Sequence, residues 1–243
     1  PRSSSWLHPW LHTQFLFYLN ASCPVPNLSV DAGYITRLHN LRWGRGVRLV
    51  LLAFDYAYNE KGERLPEQSA FYTPNDYAAQ IHQRWPDTFE WLASIHPYRA
   101  DCVEALEQAF ANGARGVKWL PPAMGINPAS PWCQRFYAAM ARLEMPLLCH
   151  GGQEHAVSGM NIDAYSNPLA LRYPLEQGVK VVVAHCATVG SSPDTDRGEN
   201  GPLVRNFDLF TRLLAEPRYE NLLFADISAL PQIHRVGPDL DLL

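Results

Sequence analysis

From residue 45 onward, short apolar runs alternate with longer segments in which apolar residues recur at helical spacing. The short runs are continuously apolar, which is typical of parallel strands buried on both faces. Strands that alternate with helices in this way predict a series of βα units with right-handed crossovers. We predict six strands, at Val47–Phe54, Phe89–Ile95, Gly116–Leu120, Pro146–Cys149, Lys180–Ala184 and Leu222–Ile227.

Three of the predicted helices have start or stop signals in the sequence. Asp101 and Glu104 have the spacing of a capping box, and Asn112-Gly113 is a typical helix end. Ser130-Pro131 and Asn167-Pro168 are typical helix starts, and the second of these helices is expected to end at Gly178. The helix after Ser130 is expected to present four apolar side chains on one face: Trp132, Phe136, Met140 and Leu143.

The predicted loops differ in length at the two ends of the strands. Helix-to-strand links are tight, whereas strand-to-helix links such as Asp55–Asn75 and Cys186–Asn206 are long and polar. In an α/β barrel, long loops at the carboxyl ends of the strands build the active site. The sequence therefore predicts one barrel domain over residues 1–243, with about six βα units.

The composition fits a globular domain and excludes several classes of protein. Of the 243 residues, 47% are hydrophobic and 18% charged, which excludes a disordered or collagen-like chain. The net charge of −4 gives no basic field, so we expect no nucleic-acid or membrane partner. The five cysteines form no CxxC pair, which indicates reduced thiols and a cytoplasmic location. The expected partner is a small-molecule substrate, and a homo-oligomer is left open.

A histidine follows three of the predicted strands: His96, His150 and His185. A single histidine beside an apolar run is more often a hydrogen-bonded core residue than a ligand. Three at the same rim of one parallel sheet face one opening, where imidazoles can serve as ligands of a catalytic zinc ion. Gly151-Gly152 lets backbone or substrate approach closely beside His150.

Lys118 lies inside a predicted buried strand, where a lysine must find a partner or lose its charge. One interpretation is a side chain that extends from the end of the strand into solvent. The other is a site lysine, which contacts substrate or binds metal after carbamylation.

Three segments together resemble the amidohydrolase superfamily, and most closely its amidohydrolase-related (amidohydrolase 2) metal-dependent hydrolases. These segments are Lys118-Trp119-Leu120-Pro121, Cys149-His150-Gly151-Gly152-Gln153-Glu154 and Val182-Val183-Ala184-His185-Cys186. The resemblance extends from about Val47 to Leu230 and implies a TIM barrel. It implies that His150 and His185 bind a divalent metal such as Zn²⁺, and it places Lys118 at the position of the family's strand-four lysine.

The sequence also departs from the pattern of this family. The family's first strand carries His-x-His and its eighth strand an aspartate, and neither is present; His8 and His12 are four residues apart. We therefore expect either a fragment that lacks the first and last barrel strands or a degenerate relative of the family, and in both cases an incomplete metal site.

The resemblance implies metal-dependent hydrolysis of an amide, lactone or related bond. Lys118 is assigned a catalytic role, and His96, Trp119 and Glu154 are assigned contacts with the substrate. Two alternatives stay open: a metal-dependent decarboxylase of the same superfamily, and a metal-free remnant barrel with a binding role.

Overall fold

The structure is a computed structural model that describes residues 30–228, except 42, 43, 45, 154–156, 158 and 199. Its helices are α1 Val30–Asn40, α2 Asn75–Arg84, α3 Cys102–Ala111, α4 Pro121–Met124, α5 Gln134–Arg142, α6 Arg172–Glu176 and α7 Asn206–Leu214. Its strands are β1 Leu49–Leu52, β2 Phe89–Leu92, β3 Val117–Trp119, β4 Leu147–His150, β5 Val181–Ala184, β6 Ser191–Pro193, β7 Leu203–Arg205 and β8 Leu223–Ala225.

Six of the strands run parallel in the order β1-β2-β3-β4-β5-β8. Strand β1 pairs with β2, and β3, β4, β5 and β8 form a four-stranded sheet. A parallel bridge between Ala93 and Val117 joins the two groups. The six predicted strands are therefore present, each with a paired stretch of only three or four residues, and the predicted α/β class with βα units is confirmed.

Within the described ranges, no ladder of hydrogen bonds joins β1 to β8, so these two strands are the edges of the sheet. Both edges expose apolar side chains on the chain's surface. Val50 and Leu52 are 52% and 46% exposed at one edge, and Phe224 and Ile227 are 43% and 66% exposed at the other.

The main core lies between the parallel sheet and the helices that cover its outer face. Trp119 is fully buried there, and its ring stacks on Phe136 and lies beside Tyr137, both on α5. Because side chains alternate along a strand, Lys118 lies on the opposite, inner face of the sheet.

The helix signals have mixed outcomes. Ser130 and Asn167 accept hydrogen bonds from the amides two residues later, so both predicted starts are confirmed. The capping box is wrong: Asp101 makes no side-chain bond to the helix, because its carboxylate binds the guanidinium of Arg99. The predicted face of α5 is wrong at Trp132, which is 62% exposed and lies in a 3₁₀ turn before the helix.

The long link after β5 contains structure that the periodicity did not predict. Strands β6 and β7 form a small antiparallel hairpin there, with Ser191 opposite Arg205. Arg212 on α7 fixes this hairpin by pairing with the carboxylate of Asp194, at 2.5 and 2.8 Å. In the part of the chain that the structure describes, no helix is long and apolar enough to span a membrane.

Candidate active site

His150 and His185 meet at the carboxyl ends of two adjacent strands. In the pairing of β4 with β5, His150 lies opposite Ala184, so His185 is one residue further along. Their ring centroids are 5.6 Å apart, with the planes at 69°. Two imidazoles share an ion with Zn–N bonds of about 2.0–2.1 Å only when they lie within roughly 8 Å of each other. The two rings meet this condition.

Close backbone contact holds the two loops that carry these histidines. The amide of Gln153 donates to the carbonyl of Val189 at 2.9 Å. Gly152 has φ +79°, and a Cβ there would lie 2.7 Å from the same carbonyl oxygen. At Gly151 a Cβ would lie 2.8 Å from a methyl group of Val183. The glycine pair is therefore required for the approach of the loops, as its position beside His150 suggested.

The backbone at His185 has an unusual conformation. His185, Cys186 and Ala187 have φ values of +56°, +49° and +53°, in the left-handed region that residues with a Cβ seldom occupy. Asp226, which follows β8, fixes this turn from two sides. Its carbonyl accepts from the Cys186 amide at 3.1 Å, and its Oδ2 accepts from the His185 amide at 3.3 Å.

The imidazole of His185 contacts the same segment. Its Nδ1 lies 3.0 Å from the carbonyl oxygen of Ser228 and 2.9 Å from the Ser228 hydroxyl. That hydroxyl donates to Oδ2 of Asp226 at 2.5 Å, and the Ser228 amide donates to Oδ1 at 2.9 Å. Burial raises the pKa of Asp226, but the hydrogen bonds from Ser228 and the His185 amide outweigh it and hold the pKa below its usual value.

Sequence reasoning assigned no role to Asp226 and Ser228. A signal was nevertheless present: Asp-x-Ser directly after a strand forms an Asx turn at the rim where the histidines lie.

Lys118 lies on the same face of the sheet as His150. Lys118 pairs with Leu148 in the register of β3 and β4, and His150 is two residues further along β4. Two residues of a strand rise about 6.6 Å. The lysine therefore lies about two residues before the histidines along the inner face of the sheet. Its side chain is partly exposed there.

The other predicted site residues lie elsewhere or outside the described residues. Trp119 faces the helices, where its indole donates to the carbonyl of Ile95 at 2.8 Å, so the structure does not bring it to the histidines. Glu154 lies outside the described residues.

His96 is fully buried, and both of its ring nitrogens bind backbone groups. Nε2 lies 3.0 Å from the carbonyl of Met124, and Nδ1 accepts from the amide of Tyr98 at 3.2 Å. Burial lowers the pKa of His96 to about 3, so the ring is neutral. Its amide donates to the buried carboxylate of Asp55 at 2.9 Å. A direct polar contact of this ring with substrate would require one of these bonds to break.

Cys149 precedes His150 but is not a nucleophile. It lies fully buried on the helix-facing side of β4, and burial raises the pKa of its thiol to about 12. A thiol with such a pKa is protonated at neutral pH, and the thiolate is the reactive form.

The donor set supplies part of a metal site. A catalytic zinc site takes about three protein ligands and keeps one open position. Among the described residues, no group of three or more His, Cys, Asp or Glu side chains could hold a metal ion. His150 and His185 fit as two imidazole ligands, and these two side chains alone do not complete a catalytic zinc site.

Comparison with known proteins gives one family and several distant structures. The family model described as amidohydrolase matches residues 57–207. A crystal structure of an amidohydrolase II is 18% identical and covers 70% of this chain and 58% of its own, with a TM-score of 0.45. A probable 2-pyrone-4,6-dicarboxylic acid hydrolase from Acinetobacter baumannii is 14% identical and covers 81% of this chain and 76% of its own, with a TM-score of 0.48.

A third structure is a 5-carboxyvanillate decarboxylase from Novosphingobium aromaticivorans with bound manganese. It is 16% identical and covers 46% of this chain and 38% of its own, with a TM-score of 0.37. This chain thus spans little more than half of the amidohydrolase II and less than half of the decarboxylase. No curated protein matches the chain. The family model, which covers most of the described residues, is the finding that bears on identity.

Proposed function

The chain belongs to the amidohydrolase family, whose members are enzymes built on TIM barrels, and from this premise we propose that it serves metal-dependent hydrolysis of an amide, lactone or related bond. His150 and His185 provide two of the metal ligands, and Lys118 orients the substrate on the inner face of the sheet. A divalent cation such as Zn²⁺ supplies Lewis-acid polarisation of a carbonyl and activation of water near neutral pH.

The meeting of the His150 and His185 rings at 5.6 Å is the observation that supports this proposal most directly. The rings lie at the carboxyl ends of adjacent parallel strands, where α/β barrels build their active sites. The hydrogen bond from the Gln153 amide to the carbonyl of Val189, at 2.9 Å, keeps the two loops together. The imidazoles are therefore held near each other by the fold itself.

Zn²⁺ binding to the dialysed chain, measured by competition with a chromophoric chelator, tests the ligand pair. We expect one weakly bound equivalent, because two imidazoles supply only part of a zinc site, and at least about tenfold weaker binding still in His150→Ala and in His185→Ala. His82→Ala is the control, because His82 lies on α2 and its Nδ1 contacts the carbonyl of Phe89 away from this site. If both site variants bind Zn²⁺ as tightly as the unaltered chain, the ion binds elsewhere and the metal-free alternative replaces the proposal.

Substitution of Lys118 tests its role in turnover. Lys118→Met keeps the volume of the side chain, so we expect a stability change of less than about 1.5 kcal/mol. A loss of turnover on the order of 10²-fold is expected if the ammonium group contacts the reacting substrate. Lys180→Met is the matched control, since Lys180 is exposed just before β5.

Product analysis separates hydrolysis from decarboxylation. A hydrolase cleaves an amide or lactone and releases an acid, whereas a decarboxylase releases carbon dioxide from a carboxylated substrate. Turnover of amides and lactones without carbon dioxide supports the proposal. Release of carbon dioxide from aromatic carboxylates would instead establish the decarboxylase alternative.

A further inference from the structure

We infer that Asp226 and Ser228 form a positioning pair that holds the His185 ring in its Nδ1–H tautomer and so makes Nε2 the ligand atom. The contacts of Nδ1 in this structure are sufficient to assign the tautomer. Its consequence for a bound metal ion rests on the function proposed above.

The contacts at Nδ1 identify the atom that carries the proton. A carbonyl oxygen only accepts hydrogen bonds, so the carbonyl of Ser228, 3.0 Å from Nδ1, requires an N–H at that nitrogen. The Ser228 hydroxyl, 2.9 Å from Nδ1, donates its own proton to Asp226 at 2.5 Å and therefore accepts from the ring. One Nδ1–H satisfies all of these contacts.

The opposite tautomer satisfies far fewer of them. An Nδ1 lone pair would face the lone pairs of the Ser228 carbonyl at 3.0 Å, which is repulsive. The hydroxyl would have to turn its proton toward the ring, and Oδ2 of Asp226 would lose its closest donor. The carboxylate thus sets the direction of the hydroxyl proton, and the hydroxyl and the Ser228 carbonyl together favour the Nδ1–H tautomer.

Asp226 also fixes the position of the His185 ring. Its carbonyl and its Oδ2 accept from the amides of Cys186 and His185, within the left-handed turn. Left-handed residues with a Cβ cost about 1–3 kcal/mol each and persist only where surrounding contacts determine them. Three such residues in a row place His185 beside His150, and Asp226 provides two of the contacts that hold them.

Asp226→Asn is the sharpest variant for a test. In the Asx turn the amide oxygen of Asn accepts from the Ser228 amide, as Oδ1 of Asp226 does. Its NH₂ group then faces the Ser228 hydroxyl and donates to it, so the hydroxyl proton turns toward Nδ1. This substitution therefore removes the acceptor of the hydroxyl proton and lets the hydroxyl donate to Nδ1, while the Ser228 carbonyl still favours Nδ1–H. The Nε2–H tautomer thus becomes populated, as it does when asparagine replaces a histidine-orienting aspartate in catalytic triads.

Long-range ¹H–¹⁵N NMR correlation on the metal-free chain reports the tautomer, with the His185 signals assigned by their loss in His185→Gln. In free neutral histidine the Nε2–H form predominates, so a predominant Nδ1–H signal reports the relay. We expect Nδ1–H in the unaltered chain, a clearly larger Nε2–H fraction in Asp226→Asn, and a smaller increase in Ser228→Ala, where the backbone carbonyl still accepts from Nδ1. Ser228→Thr keeps the hydroxyl and should restore the Nδ1–H signal.

Zn²⁺ affinity, measured with the metal alone, is the second readout. Loss of such an outer partner typically weakens metal binding by about 10–100-fold, and we expect this loss in Asp226→Asn. Asp208→Asn is the control: its carboxylate pairs with Arg205 on the exposed side of α7. Thermal unfolding checks that each variant is folded, and Ser228→Ala provides the test if Asp226→Asn does not fold.

The two readouts distinguish the inference from the proposed function. An Nε2–H signal in the unaltered chain, or an unchanged tautomer in both Asp226→Asn and Ser228→Ala, overturns the inference even if Zn²⁺ binds. A tautomer that switches in a chain whose His150 and His185 do not bind Zn²⁺ supports the positioning pair and contradicts the proposed function. Both changes together support both.

Discussion

His96 is a residue whose charge state differs between the folded and the unfolded chain. In the fold its ring is buried and neutral, with a pKa of about 3, because burial disfavours the imidazolium form. In the unfolded chain its pKa returns to about 6.5. Below pH 6.5, His96 therefore becomes protonated in the unfolded chain but stays neutral in the folded chain. The free energy of unfolding falls as a result as the pH drops toward 3.

We predict that this one residue contributes a pH dependence of up to about 1.4 kcal/mol per pH unit, or about 2 kcal/mol between pH 6.5 and pH 5. His96→Gln keeps a donor toward Met124 and an acceptor toward Tyr98 but does not titrate. Urea unfolding at pH 7 and pH 5 should show a smaller loss of stability in the variant by about that amount. Equal losses in the two proteins would show that the ring is protonated in the fold.

At the scale of elements, the loop after β4 and the loop after β5 depend on one glycine for their contact. Gly152 combines φ +79° with a Cβ position only 2.7 Å from the carbonyl of Val189. Gly178, at the end of α6, has the same φ but no atom within 4 Å of its Cβ position. Alanine at Gly178 therefore introduces backbone strain alone, whereas alanine at Gly152 introduces the same strain together with steric overlap.

We predict that Gly178→Ala costs about 1 kcal/mol, from the positive φ alone. Gly152→Ala should cost more, by about 1–3 kcal/mol, because a loop must also shift. It should weaken Zn²⁺ binding as well, since the two histidines move apart. Chemical unfolding and metal titration of both variants measure these effects, and equal costs at the two positions would contradict the steric argument.

The start signals of the helices show which helix caps can be predicted from neighbouring residues alone. Ser130 and Asn167 cap their helices because an adjacent proline leaves few alternatives for the first turn. Asp101 has an equally good local pattern, but the guanidinium of Arg99 is a stronger partner for its carboxylate than a helix amide. A cap is therefore predictable only where no charged competitor is brought near by the fold.

In the candidate site, too, some features follow from the local sequence and others depend on contacts between distant residues. The proximity of His150 and His185 was predictable because the strand ends of a parallel sheet meet at one rim, whereas their role as metal ligands stays a prediction. Trp119 is adjacent to Lys118 in the sequence, and on that basis it is predicted to contact substrate. The sequence does not show which face of the strand its side chain occupies, and in the fold it faces the helices. The roles of Asp226 and Ser228 depend on their contacts with His185, which is more than 40 residues away in the sequence, and on the left-handed turn that begins at His185. The pattern of apolar and polar residues predicts neither of these features.

At the scale of the whole molecule, the parallel sheet has two apolar edges. Val50 and Leu52 are exposed on β1, and Phe224 and Ile227 are exposed on and after β8. Among the described residues neither edge has a further strand paired to it, and unpaired edges with exposed apolar side chains favour pairing with another chain. We therefore predict that the chain self-associates through these edges in a concentration-dependent manner.

Sedimentation velocity over a range of concentrations tests this prediction. Val50→Lys and Phe224→Lys place a charge at either edge and should shift the chain toward the monomer. Leu203→Lys is the control, because Leu203 is 73% exposed but lies on the β6–β7 hairpin, away from the sheet edges. A monomer at all concentrations, or equal effects of the three variants, would contradict pairing at the edges.

The backbone contact between Gln153 and Val189 has a consequence for the thermodynamics of ligand binding. Because this contact forms with the fold, the conformational entropy of the two histidine loops is lost during folding and not when a ligand arrives. A ligand that bridges His150 and His185 binds the folded chain alone and raises its melting temperature through mass action. Any substitution that loosens this contact moves the entropy cost from folding to binding, so the chain can gain flexibility only by losing affinity.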